Sequence, residues 1–337
     1  MVICSTPETS NRIPSFALLD STRASHPRLA WRCTSRFVRN LWRWAHSEHV
    51  NLPKLVEIEN STAAIDASSN LCEEKDDREA PIFLLASGWR TGSTLLQRIL
   101  VTAPGVLVWG EPLGDIALVS RITEMLAHTP SFDRLNMRAI QGNPSSRELA
   151  TSWIANLGPP GSDLRSALRA LFDRWLGVPA LERGFARWGF KEVRLGASEA
   201  MVLHWLYPEA KFLLLTRHPY DCYRSLADAG WDDLYYRRPD LTVDSAADFA
   251  RHWNRLAVSW SELPIDFPCY RVRYENLVNG EVDFGELGKW LGIEIHADIA
   301  LSCVVGHTSS RRRLPWYERR IISHEAAQGM RALGYTK

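Results

Sequence analysis

The chain has 337 residues, with 40 Lys and Arg against 39 Asp and Glu and a formal net charge of +1. This balance argues against a general nucleic-acid-binding protein, because affinity for a phosphate backbone requires a basic surface. Hydrophobic residues make up 45% and charged residues 23%, as in globular rather than disordered proteins. The sequence contains no uninterrupted apolar run of about 18 residues, so a membrane-spanning helix is not expected.

The six cysteines are spread along the chain without a C-x-x-C pair. This spacing predicts neither a disulfide scaffold nor a zinc module. The first twenty residues also lack the basic and then apolar order of a secretory signal. We therefore expect a cytoplasmic protein without a metal site.

Charge is unevenly distributed near the N-terminus. Residues 1–56 contain eight Lys and Arg and three acidic residues, whereas residues 57–79 contain eight acidic residues and two basic ones. This pattern predicts a basic helical arm followed by an acidic, solvated linker. We place the domain boundary after residue 79, so that residues 80–337 form one domain.

The arginines of the arm, from Arg28 to Arg43, recur at helical spacing beside an apolar stripe. Three interpretations stay open for this helix. It packs on the main domain, or residues 28–46 contact a membrane surface or a partner, or the segment targets the protein to an organelle.

From Pro81 onward, apolar runs of strand length alternate with helical patterns. A continuous apolar run is typical of a strand that is buried on both faces of a parallel sheet. The alternation therefore predicts an α/β protein with a P-loop-like three-layer αβα fold around a central parallel sheet. The predicted strands are residues 82–86, 106–109, 190–193, 211–216 and 269–274, and a closing helix is predicted over 318–333.

A glycine-bounded loop follows the first predicted strand and leads into a helix. Its residues are Ser87, Gly88, Trp89, Arg90, Thr91 and Gly92, followed by Ser93 and Thr94. Glycines let backbone N–H groups turn inward, and a helix N-terminus adds partial positive charge, so this segment predicts an anion site. The Walker A pattern is not met, because Gly92 is followed by Ser93 rather than by Lys. Arg90 is the only cation in the loop.

A second anion site is predicted at the end of the strand 211–216. Arg217 lies where ligands bind in open α/β sheets, and Ser225 lies in the helix that follows Pro219. An arginine fork and a hydroxyl can grip one phosphate from two sides.

Together these two segments, GWRTGST and RHPYDCYRS, resemble those of sulfotransferases that use 3′-phosphoadenosine 5′-phosphosulfate. Further similarity lies in 189–192, 207–211, 272–277 and 333–335, so the resemblance covers roughly residues 80–337. It implies that the first segment holds the 5′-phosphosulfate and the second the 3′-phosphate. It also implies a sulfotransferase catalytic domain that needs no metal.

The resemblance implies further roles for individual residues. Tyr274 is expected near the adenine, and one or more of Arg311, Arg312 and Arg313 near the 3′-phosphate. Glu111, at the end of the strand 106–109, matches the general base of tyrosylprotein-sulfotransferase-like and bacterial members. Lys191 is expected to hold the bridging oxygen or the acceptor, with a salt bridge to Glu192 or another nearby acid as the alternative.

The acceptor is expected to be a hydroxyl, with a glycan or small natural product favoured over a peptide. Trp89 is a candidate for stacking on the adenine and Trp109 for lining the acceptor pocket, whereas His218 is expected to make a structural polar contact. Two other functions stay open at this point, a P-loop kinase or NTPase and a non-catalytic nucleotide-binding protein. The oligomeric state is not predicted.

Overall fold

A computed structural model describes residues 54–67, 79–112, 114, 116–128, 140, 142–152, 157–159, 161–229, 237–238, 241–302 and 313–336. The strands within these ranges are β1 (Ile82–Ala86), β2 (Val106–Trp109), β3 (Arg187–Glu192), β4 (Lys211–Thr216), β5 (Arg237–Arg238), β6 (Leu241–Thr242) and β7 (Cys269–Arg273). Of these strands, five form one parallel sheet in the order β2-β3-β1-β4-β7, and the two short strands β5 and β6 form an antiparallel pair.

Helices cover the sheet, and one of them continues into a five-residue π-helical segment, Asp173–Gly177. The α-helices are α1 (Leu55–Ala67), α2 (Ser93–Leu100), α3 (Leu118–Ala127), α4 (Ser146–Thr151), α5 (Gly161–Phe172), α6 (Val178–Leu181), α7 (Ala197–Leu206), α8 (Pro219–Ala229), α9 (Ala246–Ser261), α10 (Tyr274–Val278), α11 (Phe284–Leu291), α12 (Ala297–Leu301), α13 (Trp316–Glu325) and α14 (Ala327–Ala332). None of the helices in the described ranges combines the length and hydrophobicity that a bilayer crossing requires.

The central strand β1 separates two hydrophobic cores. Ile82, Leu84 and Ala86 pack with α2, α9 and α13 on one face, while Phe83 and Leu85 pack with α1, α3 and α7 on the other. Successive side chains of a strand point to opposite faces, so a strand covered on both sides, such as β1, buries apolar side chains in both directions. The predicted three-layer αβα fold is confirmed.

The register of the sheet brings five strand ends to one edge. Because all five strands are parallel, their carboxyl ends lie together, and Ala86 pairs with Leu215 while Thr216 pairs with Arg273. The backbone N–H of Lys191 donates to the carbonyl of Gly110, which extends the β2–β3 pairing up to Glu111. Ligands of open parallel sheets bind at this edge.

Helix α1 lies inside the segment that was predicted as a basic arm and acidic linker. Its Ile58 and Ile65 are fully buried in the second core, and Asp66 accepts hydrogen bonds from Trp205 at 2.9 Å and Arg165 at 3.3 Å. The prediction of a solvated linker is therefore wrong for residues 57–67, because its apolar residues at helical spacing outweigh its acidic composition. The arm helix over 28–46 lies outside the described residues, and the boundary at 79 stays a prediction.

Three predicted elements differ in their limits. Strand β7 ends at Arg273 rather than at residue 274. Strand β3 spans Arg187–Glu192 rather than 190–193, because its backbone pairs with β2 from Arg187 onward. The Arg187 side chain donates to the carbonyls of Ala80, at 2.6 Å, and Leu291. These bonds satisfy a charged group at the start of a buried strand. The closing helix is divided at Ala326 into α13 and α14.

Candidate active site

The loop between β1 and α2, residues 87–92, has the backbone geometry of an anion cradle. Gly88 and Gly92 have φ values of 113° and 89°, in the left-handed region that glycine adopts without strain. A Cβ added to Gly92 would lie 2.2 Å from the Tyr274 ring, so only glycine fits there. Helix α2 starts at the next residue, and its first N–H groups, which have no partners within the helix, border the loop.

One hydroxyl of this loop stabilises its turn, whereas another has no hydrogen-bond partner among the described residues. The hydroxyl of Thr91 donates to the carbonyl of Gly88 at 3.1 Å and stabilises the turn. Ser87 is fully buried, and its hydroxyl has no hydrogen-bond partner among the described residues. Ser93 is buried at the start of α2, whereas Thr94 is exposed. An unsatisfied buried hydroxyl is unusual, and a bound polar ligand would satisfy it.

Arg90 joins the two segments that were singled out as anion sites. It is exposed, has a φ of 62°, and its Nε donates to the Ser225 hydroxyl at 3.2 Å. Arg217 in turn donates from Nη1 to the Arg90 carbonyl at 2.9 Å. A left-handed conformation is uncommon for arginine, and these two contacts hold it.

Arg217 lies at the carboxyl end of β4 with its guanidinium 4.1 Å from the centre of the Tyr274 ring. Its Nε has no hydrogen-bond partner in the described structure, although the atom is buried. The Arg217 carbonyl accepts hydrogen bonds from Trp253 Nε1, at 3.1 Å, and from the Cys222 thiol. We call Arg90, Arg217, Ser225 and Tyr274 the arginine cluster.

A second group of charged residues lies at the ends of β2 and β3. Glu111 accepts from Lys191 Nζ at 2.6 Å through Oε1 and from Arg194 Nη2 at 2.8 Å through Oε2. Arg194 also contacts Glu192, with Nε at 2.7 Å from Oε1. Glu111, Lys191, Glu192 and Arg194 form what we call the carboxylate cluster. Of the two interpretations of Lys191, the structure shows the salt bridge, and its partner is Glu111 rather than Glu192.

Burial differs sharply within the carboxylate cluster. The Glu111 side chain is 26% exposed, whereas Lys191, Arg194 and Glu192 are 9%, 2% and 4% exposed. Burial raises the pKa of Glu192, and the Arg194 guanidinium opposes that rise. Glu111 is therefore the member of the cluster most open to a substrate.

Two tryptophans adjoin these residues. Trp89 is 6% exposed and its ring packs against His252, with 4.8 Å between the ring centroids, so it offers little surface for stacking on an adenine. Trp109 is partly buried and donates from Nε1 to the carbonyl of Leu176, in the π-helical segment, at 3.1 Å.

The C-terminal residues contact His218 and Glu275, which follow Arg217 and Tyr274 in the chain, through a network that the sequence did not reveal. Glu275 accepts from the backbone N–H of His218 at 2.8 Å and from the Tyr335 hydroxyl at 3.1 Å. The His218 ring bonds the carbonyl of Thr336 at 3.0 Å, so the expected structural role of this histidine is confirmed. Burial raises the pKa of Tyr335, which keeps its hydroxyl a neutral donor.

Arg194 is the main residue that sequence reasoning missed. It lies three positions after Lys191, in the run Lys191-Glu192-Val193-Arg194, and charges of both signs at the end of a predicted strand were the available signal. Of the arginines predicted near the 3′-phosphate, Arg313 is exposed at the start of a described segment, and Arg311 and Arg312 lie outside the described residues.

Comparison with known proteins identifies the family. The model of the sulfotransferase family matches residues 81–297. A comparison with curated proteins finds no match.

Solved structures that resemble the chain include bacterial sulfotransferases. The sulfotransferase domain of the Synechococcus PCC 7002 olefin synthase is 20% identical, with 78% of this chain and 92% of that one covered and a TM-score of 0.38. The Alicyclobacillus acidocaldarius sulfotransferase is 16% identical over 76% and 94% of the two chains, with a TM-score of 0.40. Sulfotransferase STF9 from Mycobacterium avium is 12% identical over 89% and 96%, with a TM-score of 0.44.

The family match spans β1 to the start of α12 and so includes both clusters at the carboxyl edge of the sheet. Because this match covers more than half of the sequence, the chain belongs to the sulfotransferase family.

Proposed function

We propose that the protein transfers the sulfuryl group of 3′-phosphoadenosine 5′-phosphosulfate to an acceptor hydroxyl, with Glu111 as the general base. One observation carries this proposal. Two arginines that have no carboxylate partner among the described residues lie at the same sheet edge as a carboxylate held by two cations. The first feature suits a multiply charged anion, and the second suits a group that must accept a proton in a defined position.

The residues present fit the proposed donor. The loop 87–92 and the start of α2 would hold the 5′-phosphosulfate, and Arg217 with Ser225 would hold the 3′-phosphate. The unsatisfied Ser87 hydroxyl and Arg217 Nε support this assignment, because each is a buried donor that an oxyanion would satisfy. Binding would require Ser225 to exchange its hydrogen bond to Arg90 for one to the phosphate. Tyr274 and one or more of Arg311, Arg312 and Arg313 would complete the nucleotide site.

The reaction balances as a proton transfer coupled to sulfuryl transfer. The acceptor oxygen forms a bond to sulfur, and the bond between sulfur and the 5′-phosphate oxygen breaks. Glu111 takes the proton of the attacking hydroxyl, while Arg90 and the loop N–H groups stabilise the charge that develops on the leaving phosphate. Lys191 would turn from Glu111 to the bridging oxygen and supply a second positive charge there.

The acceptor is proposed to be a glycan or small natural product rather than a peptide. Its hydroxyl must reach Glu111, the only acid of the carboxylate cluster with an appreciable exposed fraction. Trp109 and the adjoining π-helical segment border this approach and are proposed to contribute to the acceptor pocket. Screening acceptor hydroxyls with donor carrying a labelled sulfuryl group would identify the class.

The donor is tested by thermal stabilisation of the protein. We expect 3′,5′-bisphosphoadenosine to raise the Tm, and Mg-ATP to leave it nearly unchanged, because Arg217 and Ser225 are placed for a 3′-phosphate. The reverse result would contradict the proposal and favour a kinase or NTPase. Binding of the bisphosphate without transfer to any hydroxyl in the screen would favour a non-catalytic nucleotide-binding protein.

A further inference from the structure

We infer that Arg194 is a positioning residue for the general base, through which the buried Glu192 sets the orientation of the Glu111 carboxylate. This inference rests on the proposed role of Glu111 and assigns a function to a side chain that does not reach the solvent.

The guanidinium of Arg194 contacts both carboxylates at once. Its Nε and Nη2 contact the two oxygens of Glu192 at 2.7 and 3.2 Å, which is a bidentate pair. The same Nη2 lies 2.8 Å from Oε2 of Glu111. Since Nη2 carries two hydrogens in the plane of the guanidinium, one can point to each acid. The planar group therefore fixes the position of one carboxylate relative to the other.

Glu192 is itself held firmly. It is the last residue of β3, it pairs in register with Leu85 of the central strand, and its Oε1 accepts the backbone N–H of Val193 at 2.8 Å. Because Arg194 links the two acids, the Glu111 carboxylate is held in a fixed position relative to β3 and the central strand.

The turn that carries Arg194 is anchored from the other side by α9. His252 Nε2 lies 3.2 Å from the Val193 carbonyl, and Arg255 Nη2 lies 3.0 Å from His252 Nδ1. Arginine can only donate, so Nδ1 accepts and Nε2 carries the proton that bonds Val193. The His252 ring also packs on Trp89 of the anion-binding loop, so one imidazole contacts both halves of the site.

Gly114, which has no side chain, makes room for the Arg194 guanidinium beside Glu111. The backbone N–H of Gly114 donates to the Glu111 carbonyl at 3.2 Å, which closes a turn over Arg194. A Cβ on Gly114 would lie 1.7 Å from Arg194 Nη2. A residue with a side chain at position 114 would therefore displace the guanidinium without removing any charged group.

The two cations on Glu111 consequently have different tasks. Lys191 binds Oε1 with a single ammonium group on a flexible stem, whereas Arg194 binds Oε2 with a rigid, buried fork. Lys191 can move from Glu111 to the bridging oxygen during the reaction, because Arg194 still holds the carboxylate in place.

The experiment compares Arg194→Met with Arg187→Met. Both arginines are buried and belong to β3 or the turn after it, but Arg187 lies at the opposite end, and its hydrogen bonds within the described part of the chain go to backbone carbonyls. We expect Arg194→Met to lower kcat by about 100-fold, the usual effect of a misplaced catalytic group, with the Kd for 3′,5′-bisphosphoadenosine changed less than about threefold. Arg187→Met should lower Tm but leave kcat per folded molecule unchanged.

Two further variants keep the test valid if Arg194→Met folds poorly. The double variant Glu192→Gln with Arg194→Met removes the buried pair as a unit, which avoids an unpaired buried charge. Gly114→Ala keeps every charge and displaces only the guanidinium. Both the double variant and Gly114→Ala should show the same loss of kcat with donor affinity preserved. Arg194→Lys should be more active than Arg194→Met, because it keeps a positive charge beside the two acids.

The outcomes separate this inference from the proposed function. Wild-type kcat in Arg194→Met or in the double variant overturns the inference, as does an equal loss per folded molecule in Arg187→Met. Glu111→Gln is measured beside them. If it retains turnover, the proposed base is wrong, whereas an inactive Glu111→Gln beside a fully active Arg194→Met overturns only the role of Arg194.

Discussion

The arginine cluster and the carboxylate cluster share one edge of the sheet but are built in opposite ways. Among the described residues, Arg90 and Arg217 have no carboxylate within ion-pair distance and contact hydroxyl, carbonyl and aromatic groups. In the carboxylate cluster, two acids and two bases pair completely with one another.

The difference indicates what each cluster requires. Positive charges without anionic partners leave part of their electrostatic stabilisation to a ligand, so the arginine cluster is expected to depend on the bound nucleotide. A balanced set of buried ion pairs needs no ligand and holds its geometry in advance. Substitutions in the carboxylate cluster should therefore affect the rate of reaction, and substitutions in the arginine cluster should affect donor affinity.

The largest effect is expected for Glu111→Gln, which keeps the shape of the side chain but cannot take a proton. We expect kcat to fall by about 1,000-fold, within the range that general bases contribute, with donor affinity nearly unchanged. Sulfuryl transfer from labelled donor measures the first quantity and calorimetry the second. Glu124→Gln on α3, an exposed position, is the matched control. Turnover within threefold of wild type would remove Glu111 from the role of base.

The arginine cluster is tested by Arg217→Ala. Loss of charge-assisted hydrogen bonds should weaken binding of 3′,5′-bisphosphoadenosine by about 100-fold, and binding of the nucleotide that lacks the 3′-phosphate much less. Arg98→Ala removes an exposed positive charge from α2 and controls for the change in net charge. Equal weakening of both nucleotides would mean that Arg217 does not recognise the 3′-phosphate.

Gly92→Ala tests the contact between the loop and Tyr274. Both Gly92 and Gly280 have a positive φ, but an added Cβ collides with Tyr274 only at position 92, whereas at position 280 it meets open space. We expect Gly280→Ala to cost about 1 kcal/mol of stability through backbone strain alone. Gly92→Ala should lose at least this much and also about tenfold in donor affinity, measured by thermal unfolding and calorimetry. A loss no larger than that in Gly280→Ala would show that the ring moves aside easily.

The smallest effect concerns Cys222, whose thiol donates to the Arg217 carbonyl below the arginine cluster. Burial raises the pKa of Cys222, so the reactive thiolate is scarce at pH 8. We expect no alkylation of Cys222 by iodoacetamide in the native protein and complete alkylation in denaturant, as mapped by mass spectrometry. Cys269, which is only half-buried, should react faster. Rapid native labelling of Cys222 would indicate that this region opens readily.

Much of the fold followed from local pattern. The strands at 82–86, 106–109 and 211–216 lie where the apolar runs predicted them, because side chains packed between two layers of helices are mostly apolar. The segment 57–67 was misjudged, because its composition is acidic although its Ile58 and Ile65 are buried where α1 packs on α3, α5 and α7.

The candidate site was predictable only where one continuous segment carries the signal. The glycine-bounded loop and the run from Arg217 to Ser225 are of this kind. Trp89 was expected to face the nucleotide, but its ring packs inward on His252, a residue far along the chain. The side of the loop on which a side chain lies depends on such distant partners.

The sequence by itself determined a parallel α/β sheet, the positions of two segments predicted to bind anions and an acid at the end of β2, since each depends on residue order within a short stretch. Only the tertiary structure decided how these parts are connected. It brought Ser225 to Arg90, and it placed Arg194 between Glu111 and Glu192. Such contacts depend on the parallel register of strands that lie far apart in the chain, and that register follows from the packing of the whole sheet.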